Sequence, residues 1–330
     1  KYADPRRTQV VGDEADVVTA KELVPDVPVW VAVTRQGRVA RVDDDGNPPR
    51  IPSRPKEAPV ALLSASTRDT LYVFAANGEA VALPIHLLPK GEAWEEQGKH
   101  VADLSQLTRW RDVVRALALP SDASGYLFLT SRGGVVKRVS IADLPGVSTD
   151  AFPVMGVGED DTLGWVSLTT GDDEVVLVTR AGQGIRFKEE EVRAMGLPAT
   201  GVMGVKLSGK DDQVVAMTVV QSRSDLFVVA ENGMAKRTPL SDYPIQGRYG
   251  KGVIAASFSE PDVGLAGADV ARSADPVVLV TEKGNAKTIR ARSAPRQGRP
   301  TQGDSVIAVR RGDRVMDAFC PRPRPASEES

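Results

Sequence analysis

A glycine-rich basic loop offers the clearest chemistry in this sequence. Residues 246–252 read Gln-Gly-Arg-Tyr-Gly-Lys-Gly, and residues 297–299 repeat the Gln-Gly-Arg tripeptide. Arginine and lysine neutralise phosphate groups, and glycines expose backbone N–H groups that donate to phosphate oxygens. The two loops therefore predict contacts with a phosphate backbone.

Other basic residues recur near these loops, and we predict that they contact phosphates as well. The predicted contact residues are Lys137, Arg186, Lys236, Arg237, Gln246, Arg248, Tyr249, Lys251, Lys287, Arg290, Arg296, Gln297 and Arg299, with Gly247, Gly250, Gly252 and Gly298 as the loop glycines. Tyr249 either stacks or wedges against a nucleic acid or packs on its own loop, and the sequence leaves both open.

Other site chemistry fits poorly. Residues 204–211 have the spacing of a phosphate-binding loop, but Asp211 replaces the required Ser or Thr, and a strand-like segment follows instead of a helix. The acidic turn at residues 43–47 lacks the later glutamate of a calcium loop. His86, His100 and Cys320 lie in different repeats, which argues against a zinc site. We therefore expect no catalysis, metal or cofactor in this chain.

Charge is distributed unevenly along the 330 residues, whose formal net charge is only −2. Residues 283–311 contain eight basic residues and one acid, whereas residues 150–175 contain seven acids and no Lys or Arg. Such asymmetry suits a protein that holds a polyanion on one side. A single cysteine, and the lack of an apolar run long enough for a bilayer, predict a cytoplasmic protein without a membrane partner.

Six related segments predict six β-hairpins. Each has an apolar β-rich run followed by a turn with a glycine, which supplies the positive φ that a tight hairpin turn requires. The turn glycines are Gly37, Gly78, Gly133, Gly182, Gly233 and Gly284.

The repeats predict an all-β, propeller-like ring of six four-stranded blades, a β-pinwheel. A strand-like segment precedes most hairpins, and one more, residues 314–321, follows the last. About four short strands per repeat favour a radial array. We expect the last strand to complete the first unit, so that pairing of the N- and C-terminal strands closes the ring. Residues 27–322 would form this domain, 1–26 a leader from an upstream catalytic core, and 323–330 a disordered tail.

The candidate loops keep a fixed register with the hairpins. A glycine follows the turn glycine by 14 residues in the fourth, fifth and sixth copies: Gly196, Gly247 and Gly298. Successive blades would therefore present the same loop at equivalent positions along one rim.

Three segments resemble a known family. Residues 188–207, 232–254 and 4–10 resemble the C-terminal domain of the A subunit of bacterial DNA gyrase, and the related subunit of topoisomerase IV is similar. The resemblance covers essentially the whole chain. It implies a six-bladed β-pinwheel that binds and bends duplex DNA around its rim. The sequence itself has no recognition helix or aromatic stacking array, so we expect no sequence-specific readout.

The resemblance also implies a larger assembly. The parent protein would be an ATP-dependent type IIA topoisomerase of the nucleoid, which changes DNA supercoiling. Its catalytic tyrosine would lie outside this chain, in an upstream breakage-reunion core. ATP and Mg²⁺ would bind other domains, and the ATPase B subunit would be a partner.

One motif of that family is displaced. The gyrase A box reads Gln-Arg-Arg-Gly-Gly-Lys/Arg-Gly and lies in the first blade. Here residues 246–252 agree at five of seven positions but follow the fifth hairpin, and residues 43–59 contain no box. Gyrase-like and topoisomerase IV-like roles both stay open. A propeller scaffold that binds proteins without wrapping DNA is the alternative, since this architecture hosts many functions.

Overall fold

Six antiparallel sheets make up the molecule. The computed structural model describes residues 23–91, 94–108 and 112–321. Five of the sheets have four strands and the sixth has three. The predicted all-β pinwheel with six blades is therefore confirmed. The predicted tail, and the leader up to residue 22, lie outside the described residues.

The strands alternate with very short helices. In chain order the first eleven strands are β1 (Pro28–Thr34), β2 (Arg38–Asp43), β3 (Pro59–Ser66), β4 (Thr70–Ala75), β5 (Glu79–Pro84), β6 (Lys99–His100), β7 (Val113–Leu119), β8 (Tyr126–Ser131), β9 (Val135–Ser140), β10 (Ser148–Pro153) and β11 (Leu163–Thr169). The others are β12 (Glu174–Thr179), β13 (Gln183–Lys188), β14 (Val202–Met203), β15 (Val214–Val219), β16 (Asp225–Ala230), β17 (Met234–Pro239), β18 (Val253–Ile254), β19 (Leu265–Ala271), β20 (Pro276–Thr281), β21 (Ala286–Arg290), β22 (Asp304–Ser305) and β23 (Val315–Phe319).

One α-helical turn and six 3₁₀ turns complete the described elements. The α-helical turn is α1 (Trp94–Gln97), and the 3₁₀ turns are Ile85–Leu87, Val101–Asp103, Ile141–Asp143, Glu189–Glu191, Leu240–Asp242 and Ala291–Ser293. None of the helices in the described part of the chain has the length and apolar character needed to cross a membrane.

Each of the first five blades combines two repeats. In the fourth blade, β12 and β13 form the hairpin, and β15 pairs with β12 on the side of the ring centre. The outermost strand, β18, comes from the following repeat and pairs with β13. The first, second, third and fifth blades have the same order. The loop that leads to each outer strand therefore runs along the outer rim.

The hairpin turns share one end of the blades, here called the turn face. Gly37, Gly78, Gly182, Gly233 and Gly284 have φ between +80° and +85°, as predicted. In the third blade the prediction is off by one residue, because Gly134 rather than Gly133 has the positive φ. With that correction Lys137, Lys236 and Lys287 all stand three residues after their turn glycine.

Five of the six seams between blades contain the same backbone hydrogen bond. At each, the residue that begins the inner strand of one blade donates its N–H to a turn carbonyl of the preceding blade, at 2.8–3.1 Å: Val113 to Arg35, Leu163 to Ala76, Val214 to Arg132, Leu265 to Arg180, and Val315 to Glu231. The equivalent position in the first blade is Pro59, which pairs with Thr34 as Val113 pairs with Ala75. Proline has no N–H, so the sixth seam lacks this bond.

The predicted closure of the ring is wrong. The last strand, β23, pairs with β20 of its own blade, and β1 already has β2 and β3 on its two edges. The first and sixth blades instead meet through buried apolar side chains, including Trp30, Leu62, Val278 and Phe319. All six inner strands line a small central cavity of about 90 Å³. Within the described part of the chain, apolar packing rather than pairing of β1 with β23 therefore joins the first and sixth blades.

Candidate nucleic-acid interface

Three loops take equivalent positions on the rim of successive blades. The N–H groups of Met195, Gln246 and Gln297 donate to the carbonyls of Arg138, Arg186 and Arg237, at 2.8–2.9 Å. These carbonyls belong to the outer hairpin strands of the third, fourth and fifth blades. The register predicted from Gly196, Gly247 and Gly298 is therefore confirmed.

The loop at residues 246–252 is held on both sides. Tyr249 donates its N–H to the carbonyl of Gly204, and the carbonyl of Gly250 accepts from the N–H of Lys206, so the loop is bound to the segment after β14. Gly252 has a φ of +75°, and a Cβ there would lie 2.4 Å from the carbonyl oxygen of Gly184. No side chain fits that position, which explains the glycine.

Arg248 and Arg299 make equivalent contacts one blade apart. A terminal nitrogen of Arg248 donates to the carbonyl of Met203 on β14 at 3.0 Å, and one of Arg299 donates to Ile254 on β18 at 3.4 Å. Arg248 also donates from Nε to the carbonyl of Glu191. Because a guanidinium has five N–H groups, each arginine keeps donors for an external ligand.

The exposed members of this surface surround those two arginines. Lys251 is exposed, and the side chain of Arg296 is 59% exposed although it pairs with Asp225 at 3.2 Å. Tyr249 is 52% exposed and has a φ of +66°, a backbone region that normally disfavours side chains. We call Arg248, Lys251, Arg296 and Arg299 the rim cations. They stand on two adjacent blades and face solvent.

Two predicted contact residues lie inside the protein instead. Lys137 and Lys236 have no exposed surface. The ammonium of Lys137 donates to the carbonyls of Val154 and Leu197, and that of Lys236 to Gly298 and Arg299. Burial lowers the pKa of Lys137 to about 8; burial and then the charge of Arg299 do the same for Lys236. The expectation that these two lysines touch phosphates is therefore wrong, because a phosphate cannot reach them.

Two predicted arginines also have structural partners. Arg186 pairs with Glu174 and donates to the carbonyl of Leu240 at 2.8 Å. Arg237 pairs with Asp225 at 2.9 Å and donates to the carbonyl of Ala294 at 3.1 Å. The guanidinium of Arg186 thus holds the start of one rim loop at Leu240, and that of Arg237 holds the start of the next rim loop at Ala294. We call Lys137, Arg186, Lys236 and Arg237 the strand cations.

The sixth blade differs from the others at the rim. Among the described residues its sheet has no fourth strand, so β21 is an edge there, contacted by a hydrogen bond from the N–H of Ala286 to the carbonyl of Ser53. Lys287 and Arg290 are exposed there, and their side chains donate to the carbonyls of Val306 and Ala274. Both keep donors facing solvent.

The acidic stretch at residues 150–175 is partly structural. Asp161 accepts the N–H of Gly133 at 2.7 Å, and Asp173 accepts the N–H of Thr170 at 2.8 Å. Glu174 is the partner of Arg186. Charge asymmetry along the sequence therefore overstates the asymmetry available to a ligand. Among the described residues, no three His, Cys, Asp or Glu side chains gather in a way that could hold a metal ion.

A family model matches four segments of the chain. It describes the DNA gyrase C-terminal domain, a β-propeller, and it matches residues 125–168, 173–221, 224–270 and 275–322, which together exceed half of the chain. The chain belongs to this family. The four segments cover the third to sixth blades, which include all the rim cations.

Relatives and solved structures agree with this assignment. The chain is 29% identical over 326 residues to the A subunit of DNA gyrase from Salmonella typhimurium (strain LT2), and 30% identical over 333 residues to that from Deinococcus deserti. These matches cover 96% of the chain but only 37% and 41% of the relatives. The chain is also similar to the crystal structure of the C-terminal domain of DNA topoisomerase IV, with a TM-score of 0.77 and 25% identity over 90% of this chain and 94% of that one. A DNA gyrase A C-terminal domain structure shares the fold, with a TM-score of 0.73 and 19% identity over 89% of this chain and all of that one.

Proposed function

We propose that this gyrase-family domain binds duplex DNA without sequence specificity and bends it around its outer rim. The observation that carries the proposal is the repetition of one arginine contact on adjacent blades, with Arg248 bound to Met203 and Arg299 bound to Ile254. Cations in equivalent places on a curved surface suit the regularly spaced phosphates of a bent duplex.

The energetics require several blades to contribute. Bending 20–30 base pairs by 40–90° costs on the order of 1–6 kcal/mol. Non-specific binding with a Kd of about 10⁻⁴–10⁻⁶ M is worth only about 5.5–8 kcal/mol. One basic loop cannot both hold and bend the duplex, whereas loops on successive blades add their contacts along the path.

We further propose that the domain acts within the gyrase-type A subunit of a type IIA topoisomerase in the cytoplasm, on the nucleoid. Its partners would be the breakage-reunion core of the same polypeptide, which carries the catalytic tyrosine, and the ATPase B subunit. ATP and Mg²⁺ would bind those other domains. The support is the set of gyrase A relatives, of which this chain spans about two-fifths.

Salt dependence of DNA binding tests the proposal. Fluorescence anisotropy with a labelled duplex would compare the wild type with a rim variant, Lys251→Ala with Arg299→Ala. A control variant, Lys188→Ala with Lys210→Ala, removes two other exposed charges, so both variants have the same net charge. For the wild type, log K should fall steeply with log[salt], by about 0.9 per neutralised phosphate. The rim variant should lose about two units of that slope, and the control variant almost none.

Two results would contradict the proposal. The first is binding that ignores salt between about 50 and 200 mM, since phosphate contacts always release counterions. The second is an anisotropy of the labelled duplex that does not change when the domain is added at low salt, which would favour a scaffold that binds proteins. Equal behaviour of the rim and control variants would show that the rim is not the binding surface.

A further inference from the structure

The turn face of the sixth blade carries three cations that the rim loops do not include. Lys283 lies in the β20–β21 turn, and Arg310 and Arg311 lie in the loop before β23. All three side chains are exposed, and none makes a hydrogen bond or ion pair with a described residue. The Nζ of Lys283 lies 3.6 Å from the Cβ position of Gly312, so the turn and the loop are adjacent. We call these three residues the turn-face patch.

The same position in other blades shows that the fold does not require these charges. An aspartate two residues before the inner strand accepts the N–H of the hairpin turn in three blades: Asp161 from Gly133, Asp212 from Ala181, and Asp313 from Lys283. The three blades therefore share the aspartate that caps the hairpin turn, but the exposed residues next to this aspartate differ. The exposed neighbours are Glu159 and Asp160 in the third blade, Lys210 and Asp211 in the fourth, and Arg310 and Arg311 in the sixth.

The one carboxylate in the sixth-blade loop does not pair with the patch. Asp313 accepts hydrogen bonds from the hydroxyl of Thr281, the side-chain amide of Asn285 and the N–H groups of Lys283 and Arg314, at 2.8–3.2 Å. Partial burial opposes its ionisation, but these hydrogen bonds hold the pKa of Asp313 below its usual value. These four hydrogen bonds occupy the acceptor positions of the Asp313 carboxylate, so the three positive charges of the patch stay available to a ligand.

The order of blades suggests which ligand this is. A duplex that follows the rim from the fourth blade to the fifth next meets the sixth blade. Among the described residues, that blade has no outer strand. Lys287 and Arg290 lie on the edge of β21, and the side chains of Lys283, Arg310 and Arg311 lie on the turn face with no hydrogen-bond or ion-pair partner in the described part of the chain. The cations of this blade therefore continue from the rim onto the turn face.

We propose that the turn-face patch binds the phosphate backbone of the same duplex where it leaves the rim, and so directs the DNA out of the plane of the ring towards the turn face. This inference rests on the proposed function. The ligand class is duplex DNA longer than the segment that the rim itself holds. Because the contacts are to phosphates, the patch adds affinity and direction without adding sequence preference.

A patch variant, Arg310→Ala with Arg311→Ala, tests this inference against the control variant defined above. Both arginine side chains are exposed and make no hydrogen bond or ion pair with a described residue, so the free energy of unfolding should not change. Anisotropy would use one duplex of about 20 base pairs and one of about 60 base pairs. With the longer duplex the patch variant should lose about two units of salt slope and bind on the order of tenfold more weakly. With the shorter duplex it should bind like the wild type, because the rim alone accommodates it.

The outcomes separate this inference from the proposed function. If the rim variant weakens binding of both duplexes but the patch variant matches the control variant on the longer one, the inference is overturned and the proposed function stands. An equal loss on both duplexes would also overturn it, since the patch would then belong to the primary contact. If the rim variant has no effect on either duplex, the proposed function itself fails.

Discussion

Arg237 and Arg296 pair with the same carboxylate, Asp225, yet they belong to different regions of the molecule. Arg237 is only 9% exposed and also holds the carbonyl of Ala294, whereas the side chain of Arg296 is 59% exposed on the rim. The strand cations position the rim loops, and the rim cations are left to meet a ligand. In this fold, a basic residue is available for DNA only when its side chain keeps solvent-facing donors beyond those that already bind protein carbonyls.

The largest expected effect concerns the inner arginine. Arg237→Ala leaves Asp225 without its buried partner and removes the donor to Ala294, so the free energy of unfolding should fall by about 3–5 kcal/mol. Arg296→Ala is the matched control, since it removes the exposed partner of the same carboxylate and should cost less than about 1 kcal/mol. Urea unfolding followed by tryptophan fluorescence measures both. Similar losses for the two variants would remove the distinction between the regions.

The buried ammonium of Lys236 should make stability depend on pH. Its pKa is about 8 in the folded protein and near 10.5 in the unfolded chain, so the unfolded state binds more protons between these values. Stability contributed by this group therefore rises as pH increases from about 8 to 10.5, by up to about 3 kcal/mol. Urea unfolding of the wild type and of Lys236→Met across this range isolates the effect. If the difference in unfolding free energy between the two proteins does not change with pH, the pKa of Lys236 is not lowered by folding.

Outer cations should affect DNA and leave stability unchanged. Arg248→Ala removes a guanidinium that is held by the carbonyls of Met203 and Glu191 and still has free donors. We expect a loss of about one unit of salt slope and roughly three- to tenfold weaker binding. Lys188→Ala is the control on the exposed end of β13. An unfolding free energy that drops by several kcal/mol would instead place Arg248 with the strand cations.

The smallest expected effect concerns the backbone at Tyr249. Its φ of +66° is a conformation that glycine adopts without strain, so Tyr249→Gly relieves strain while it raises the conformational entropy of the unfolded chain. The net change in stability should be within about 1 kcal/mol. DNA binding should weaken if the exposed ring touches the duplex, and Tyr249→Phe should retain it. Unchanged affinity in Tyr249→Gly would assign the ring to loop packing.

Much of the fold could be predicted because each of the six repeats contains the same kind of hairpin turn. A glycine after an apolar run indicates a hairpin, and six copies indicate a ring. The partner of the last strand could not be read in this way, since residues 314–321 look alike whether they join the first blade or the sixth. Pairing follows from which edge is free, and β1 has no free edge.

The candidate site was harder to predict because adjacent residues on a strand face opposite sides. Lys236 and Arg237 read as one basic pair, but one is enclosed by carbonyls and the other is ion-paired. The alignment on Gly133 rather than Gly134 hid the shared register of Lys137 and Lys236, which would have signalled a structural role. In the sequence, the residues of the turn-face patch were visible only as part of the excess of basic residues in 283–311. The position of the patch depends on the loop before β23, which no local pattern specifies.

A single measurement tests the central claim most directly: the end-to-end distance, by fluorescence energy transfer, of a doubly labelled duplex of about 60 base pairs with and without the domain. The account predicts that the wild type and the Lys188→Ala, Lys210→Ala control bring the ends together. The Lys251→Ala, Arg299→Ala variant should do so much less at equal occupancy. A duplex that stays straight when saturated with the wild-type domain would contradict the account.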